Sequence, residues 1–214
     1  MQVNQRVIQF AATAPRRSFF SRMITSPSAI ERRLAQIPPA AKRKIFVSYH
    51  HGRDQKYYNF FSSKFSVDYE VIQDNSLRQE INSDDAEYLI RAIRERFING
   101  SSCTIVLCGR DTPYRRFVDW EIKATLDDED GLVGVILPDV RPGTNGHAIL
   151  PERLHDNIYS RYAPWIFWRD LMRGGPTRLV SLTEYAISSP KNQIDNSRGM
   201  MKRSTLPPAP RIVL

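Results

Sequence analysis

Four short apolar runs constrain this chain most: residues 45–49 (IFVSY), 69–72 (YEVI), 103–107 (CTIVL) and 132–137 (LVGVIL). Each is too short for a buried helix, and their β-branched and aromatic content suits strands. As a group they lack the polar–apolar alternation of a sheet with one wet face, so they read as strands buried on both sides. The stretches between them are long enough for helices. Strands alternating with helices imply an α/β chain with a parallel sheet covered on both faces. Residues 164–168 (PWIFW) supply a fifth, edge strand.

The intervening segments carry helix signals. Asp54 can cap a helix reaching Phe65. The run Asn82-Ser83-Asp84-Asp85 opens another, whose stripe is Ala86, Leu89, Ile90, Ile93 and Phe97 and whose stop is Asn99-Gly100. A closing helix is expected over 177–188. In such sheets ligands bind beyond the carboxyl ends of the strands. Here those ends are Tyr49-His50, Gln73-Asp74 and Cys108-Gly109.

The segment 114–126 (YRRFVDWEIKATL) is the best clue to chemistry. Wound at about 100° per residue, it gathers Phe117, Val118, Trp120, Ile122, Ala124, Thr125 and Leu126 on one broad arc, with Asp119 and Lys123 facing away. Glu121 falls near the middle of the apolar arc. A carboxylate is rarely buried without a partner, because its desolvation is expensive. Either an Arg such as Arg115 pairs with it, or it lines a cleft that a ligand fills.

Charge and cysteine usage narrow the classes. The net charge of +8 is concentrated in 1–44, which hold nine Lys or Arg against Glu31 alone; 45–214 balance 22 basic against 22 acidic residues. A nucleic-acid-binding fold would carry its basic charge as a surface patch, so no specific nucleic-acid partner is expected. Residues 1–43 read as a basic N-terminal extension; their acid-free first part has the look of a transit peptide, and a peripheral extension is the preferred reading. Residues 190–214, ending in a Pro-rich run, read as a flexible C-terminal tail. No apolar run reaches the roughly 20 residues of a membrane span. Cys103 and Cys108 cannot make a disulfide framework, and a reducing, cytoplasmic setting fits them.

Several chemistries lack their motifs. There is no G-x-G-x-x-G after the first strand, no G-x-x-x-x-G-K-[ST] and no G-x-S-x-G. The histidines (His50, His51, His147, His155) and the absence of C-x-x-C give no metal-ligand spacing, so no metal site is expected.

Together, the F-V-S-Y-H start at 46–50, a second strand ending in Asp74, Asn99-Gly100 before the third strand, the R-R-F-V-x-x-E-I helix at 115–122 and L-P-x-x-L at 150–154 resemble the Toll/interleukin-1 receptor (TIR) domain family. The nearer likeness is to the bacterial TIR-like subgroup that includes the ThsB proteins of the Thoeris anti-phage system, over about 44–170. The resemblance implies a flavodoxin-like three-layer α/β fold around a central, mostly parallel five-stranded sheet, spanning 44–189. It also implies cleavage of NAD, as substrate and with no cofactor, at the nicotinamide N-glycosidic bond.

By that resemblance Glu121 is the catalytic acid and Phe117 stands where the family usually has Trp. The residues then expected to meet substrate are Ser48, His50, Arg53, Asp74, Phe117 and Trp120. The ThsB likeness further implies antiviral defence, with a cyclic ADP-ribose-type signal read by a separate effector protein, a phage-derived trigger and a homo-oligomer. Two other readings stand beside it: a non-catalytic TIR-like adaptor that acts by self-assembly, and a nucleoside deoxyribosyltransferase-like enzyme.

Overall fold

The computed structural model describes residues 42–73, 86–93, 95, 98–140 and 148–205. The 1–41 extension, Asp74, the acidic opening of the second helix, Phe97 and His147 lie outside the described residues. Five strands form one sheet in the order β2-β1-β3-β4-β5, every pair parallel: β1 (Arg43–Ser48), β2 (Tyr69–Gln73), β3 (Cys103–Cys108), β4 (Gly131–Ile136) and β5 (Trp165–Phe167). Parallel neighbours need crossovers, and helices provide them: α1 (His51–Phe65), α2 (Ala86–Ile93), α3 (Arg116–Asp127), α4 (Glu152–Tyr159) and α5 (Trp168–Ser188).

The two faces of the sheet have separate cores, as strands wet on neither side require. Ile45 and Val47 of β1, Tyr49 just after it, and Ile105 and Leu107 of β3 point to the side covered by α1 and α5, where they meet Phe61, Phe65, Leu179 and Leu182. The alternate residues point the other way. Phe46 packs with Ile90 and Ile93 of α2 and with Trp120 and Ala124 of α3. Val106 and Cys108 pack with Val118, Ile122 and Leu126 of α3 and with Leu154 of α4. Helix α3 therefore straddles two clusters, and the residues between its two apolar stripes are pressed onto the strands.

Three expectations change. Helix α1 begins at His51, so Asp54 lies inside its first turn and is buried; His50 is the N-cap. The stretch after Leu150, expected only to lead into the edge strand, forms α4. Helix α5 begins nine residues before 177, at Trp168, and is broken at Gly175, whose φ of 58° is open to glycine and which precedes Pro176.

The segment 190–205 also departs from the expected flexible tail. It crosses the outer side of α3 and α4 in a continuous series of hydrogen bonds. Asn157 Nδ2 donates to Asp195 O at 2.8 Å, Asn196 Nδ2 to Asp127 at 2.7 Å, Met201 N to Asp119 at 2.8 Å, and Thr205 N to Tyr114 O at 3.0 Å. Its sequence is polar and lacks periodicity because it is held through main-chain groups and scattered polar side chains such as Asn196, Arg198 and Ser204 rather than through an apolar stripe. That manner of attachment leaves no pattern to read.

Candidate active site

The site is built on α3 and the strand ends beneath it. Thr125 Oγ1 lies 2.7 Å from Thr104 Oγ1 of β3 and donates to the carbonyl of Glu121 at 2.8 Å, which fixes α3 over the sheet. Glu121 is one helical turn earlier, about 6 Å toward the carboxyl edge. Two residues along β3 cover a similar distance and lead from Thr104 to Val106. The β1 residue in register with Val106 is Ser48. Ser48 shares the α3 side of β1 with Phe46, by strand alternation.

Two buried polar side chains therefore converge under α3. Glu121 is only 5% exposed and Ser48 1%. Among the described residues Ser48 Oγ is buried with no hydrogen-bond partner. Such a hydroxyl leaves a desolvation cost uncompensated unless something else binds it. The arrangement places a buried carboxylate and a buried hydroxyl toward the carboxyl edge of a parallel sheet.

The aromatic pair stands beside them. Phe117, one turn before Glu121, meets Trp120 edge to face with ring centroids 5.3 Å apart, and the Arg116 guanidinium lies 5.0 Å over each ring. Trp120 is buried in the Phe46 cluster and its indole N–H donates to Met201 O at 3.0 Å. Phe117 is only partly buried, so of the two it has the more accessible face. Arg115, the N-cap of α3, keeps its Nε buried without a partner among the described residues.

His50 and Arg53 lie across the edge, at the start of α1. The His50 carbonyl accepts from Arg53 N at 3.1 Å and Asp54 N at 2.8 Å. The Arg53 side chain is half exposed and reaches Asp111 of the β3–α3 loop at 2.6 Å. Ser48, His50, Phe117, Trp120 and Glu121 are thus placed at or near one edge, with Arg53 turned toward Asp111.

The sequence reading missed a second acidic arrangement there. Asp54 Oδ2 accepts from Thr112 Oγ1 at 3.1 Å, and Thr112 Oγ1 accepts from Gly109 N at 2.9 Å. A Cβ on Gly109 would overlap the Asp54 carboxylate, so only glycine permits this approach. Burial pushes the Asp54 carboxyl up to about 6; Asp139 and Asp111 push the same way, and the Thr112 hydroxyl opposes them. Both cysteines are buried free thiols held well above their ordinary pKa by burial, so neither is a poised nucleophile.

The other omission is Arg153, fully buried on α4. Its Nε donates to Asp119 Oδ1 at 2.9 Å, Nη1 to Asn196 Oδ1 at 2.6 Å and Nη2 to Gly199 O at 3.1 Å. Asp119, read from the sequence as facing away from the core, is consequently buried beneath the C-terminal segment. No local spacing announces a pair whose members are 34 residues apart.

Residues 46–142 match the family described as Thoeris protein ThsB, TIR-like domain. That stretch is similar to a ThsB-type TIR-like domain. The matched stretch runs from β1 through β4 and includes Ser48, Phe117, Trp120 and Glu121, so the paired buried groups lie inside the TIR-like part. Arg153 and the segment that it holds lie beyond it. Among solved structures, the TIR domains in the structure of the activated Roq1 resistosome directly recognizing the pathogen effector XopQ are similar at 13% identity and a TM-score of 0.34, covering 71% of this chain and 84% of that one. No curated protein matches the sequence. Among the described residues no helix is long and apolar enough to cross a membrane.

Proposed function

We propose that this ThsB-type domain cleaves NAD at the nicotinamide N-glycosidic bond and makes a cyclic ADP-ribose-type signal for a separate effector in anti-phage defence. The observation that carries the reading is the burial of Glu121 on α3 together with that of Ser48, the β1 residue in register with Val106. Breaking an N-glycosidic bond builds positive, oxocarbenium-like charge on the ribose. A fixed carboxylate in a water-poor pocket stabilises that charge more than water would, and it also accepts from ribose hydroxyls. Nicotinamide departs as a neutral molecule, so the chemistry asks for no strong general acid.

In this reading Ser48 Oγ hydrogen-bonds the substrate, Phe117 offers a stacking face, and His50 with Arg53 meets the phosphates once Arg53 exchanges Asp111 for them. Asp74 joins as a candidate for a ribose hydroxyl. Capture of the ribosyl cation by a second atom of the same nucleotide closes a ring, whereas capture by water gives linear ADP-ribose. The test incubates the protein with NAD, alone and with infected-cell lysate, and resolves products by mass spectrometry. A cyclic product is expected; linear ADP-ribose with nicotinamide would replace signalling by NAD depletion.

One observation favours a second reading, an adaptor acting by self-assembly and partner binding. A groove of about 760 Å³ lies along the edge strand, lined by Leu137, Leu150, Ile158, Trp165, Phe167 and Trp168. Trp165 and Phe167 are 45% and 48% exposed there. Exposed aromatic patches mark contact surfaces. Absence of NAD turnover in both conditions above would move the assignment to this reading.

A further inference from the structure

We propose that the C-terminal segment 195–205 is a working part of the Glu121 site, with the Met201 main chain clipping α3 in the rotation that seats Glu121 and Arg153 holding the clip. The proposal rests on the NAD-cleaving reading for its kinetic consequence and on geometry alone for its mechanical one. Met201 binds the two residues that immediately precede Glu121. Its N–H donates to Asp119 Oδ2 at 2.8 Å, and its carbonyl accepts from Trp120 Nε1 at 3.0 Å.

Those two bonds resist rotation of α3 about its axis, because they hold adjacent side chains that point in different directions, Asp119 outward and Trp120 into the Phe46 cluster. The opposite side is pinned by the Thr104–Thr125 contact. Glu121 lies between the two restraints. The clip is itself anchored at both ends. On one side Arg153 joins Asp119, Asn196 and Gly199 in a single buried fork. On the other, Ser204 Oγ accepts from Arg116 N at 3.1 Å, giving α3 the capping oxygen that Arg115, its own N-cap residue, does not supply. Met200 meanwhile packs into the α2–α3 cluster beside Phe117.

A segment that only filled space would be expected to hold α3 by apolar contact spread along its length. This one concentrates three hydrogen bonds on Arg116, Asp119 and Trp120, all within five residues of Glu121, and Arg153 adds a fourth on Asp119. Groups that must meet a transition state need their supports locked by such bonds, since displacements near 1 Å can cost about a hundredfold in rate.

The test uses full-length protein with Met201→Pro, which deletes the N–H bonded to Asp119 and leaves the carbonyl in place, beside Arg203→Ala as a control in the same segment. The expected result for Met201→Pro is cooperative unfolding, faster trypsin cleavage at Arg198 and Lys202, and faster amide exchange over 116–127. NAD turnover should show kcat about tenfold lower with KM changed less than about twofold, since orientation and not ground-state contact is lost. Arg203→Ala should match wild type throughout. A loosened segment with unchanged exchange in α3 would overturn the proposal. So would unchanged kcat in an active enzyme. If wild type turns over no NAD, the exchange measurement still decides the clip while the catalytic reading fails separately.

Discussion

At the scale of single residues, the site has one side chain whose role can be separated from stability. Ser48 Oγ makes no hydrogen bond among the described residues, so Ser48→Ala removes nothing the fold uses. Urea unfolding should find the variant at least as stable as wild type, since the desolvation cost of the unpaired hydroxyl is removed. If the hydroxyl meets NAD, KM should rise several-fold; an unchanged KM would remove Ser48 from the site. Asp54 gives the opposite lesson. Its carboxyl is raised from 3.8 to about 6, chiefly by burial, so the folded state holds the proton more tightly than the unfolded chain does. Stability from this group is complete below about pH 4 and is lost as pH rises through about 6. Asp54→Asn, isosteric and uncharged, should therefore gain on wild type as the pH rises from 4 to 6, by about 2 kcal/mol in chemical denaturation. A difference independent of pH would mean that Asp54 does not titrate there. Asp54 was taken from the sequence for a helix cap because its partner Thr112 is far away along the chain.

At the scale of elements, the decisive contact joins α3, α4 and the C-terminal segment through Arg153 and Asp119. Removing one partner of a buried ion pair strands the other charge, which typically costs about 3–5 kcal/mol. Arg153→Leu should lose about that much in thermal or urea unfolding, and adding Asp119→Leu should restore a good part of it. Loss that simply adds in the double variant would show that the pair is not coupled. Helix α3 itself was legible, including the inward Glu121, because apolar spacing records which side faces a core. That α3 would be clasped from outside was not legible. Asp119 lies opposite the sheet and so reads as solvent-facing, until a segment some 80 residues later donates a main-chain N–H to it. Main-chain bonding leaves no trace in residue type, and the side chains that help to hold 190–205, such as Asn196 and Arg198, meet partners tens of residues away, so the segment read as a free tail.

At the scale of the molecule, four strand runs and the edge strand were recoverable from composition because strands covered on both faces must be apolar throughout. Their order, β2-β1-β3-β4-β5, follows from parallel pairing through helical crossovers and brings the ends of β1 and β3 together. That adjacency is what places a scattered serine and glutamate toward the same edge. The ThsB-type match covers the strands that make this edge, while the clasp lies outside it. The central claim is that Glu121 serves chemistry rather than packing. Purified wild type and Glu121→Gln, shown to unfold alike, should be compared for NAD turnover in the presence of infected-cell lysate. The account predicts that product formation disappears in the variant, whereas equal turnover by both proteins would contradict it.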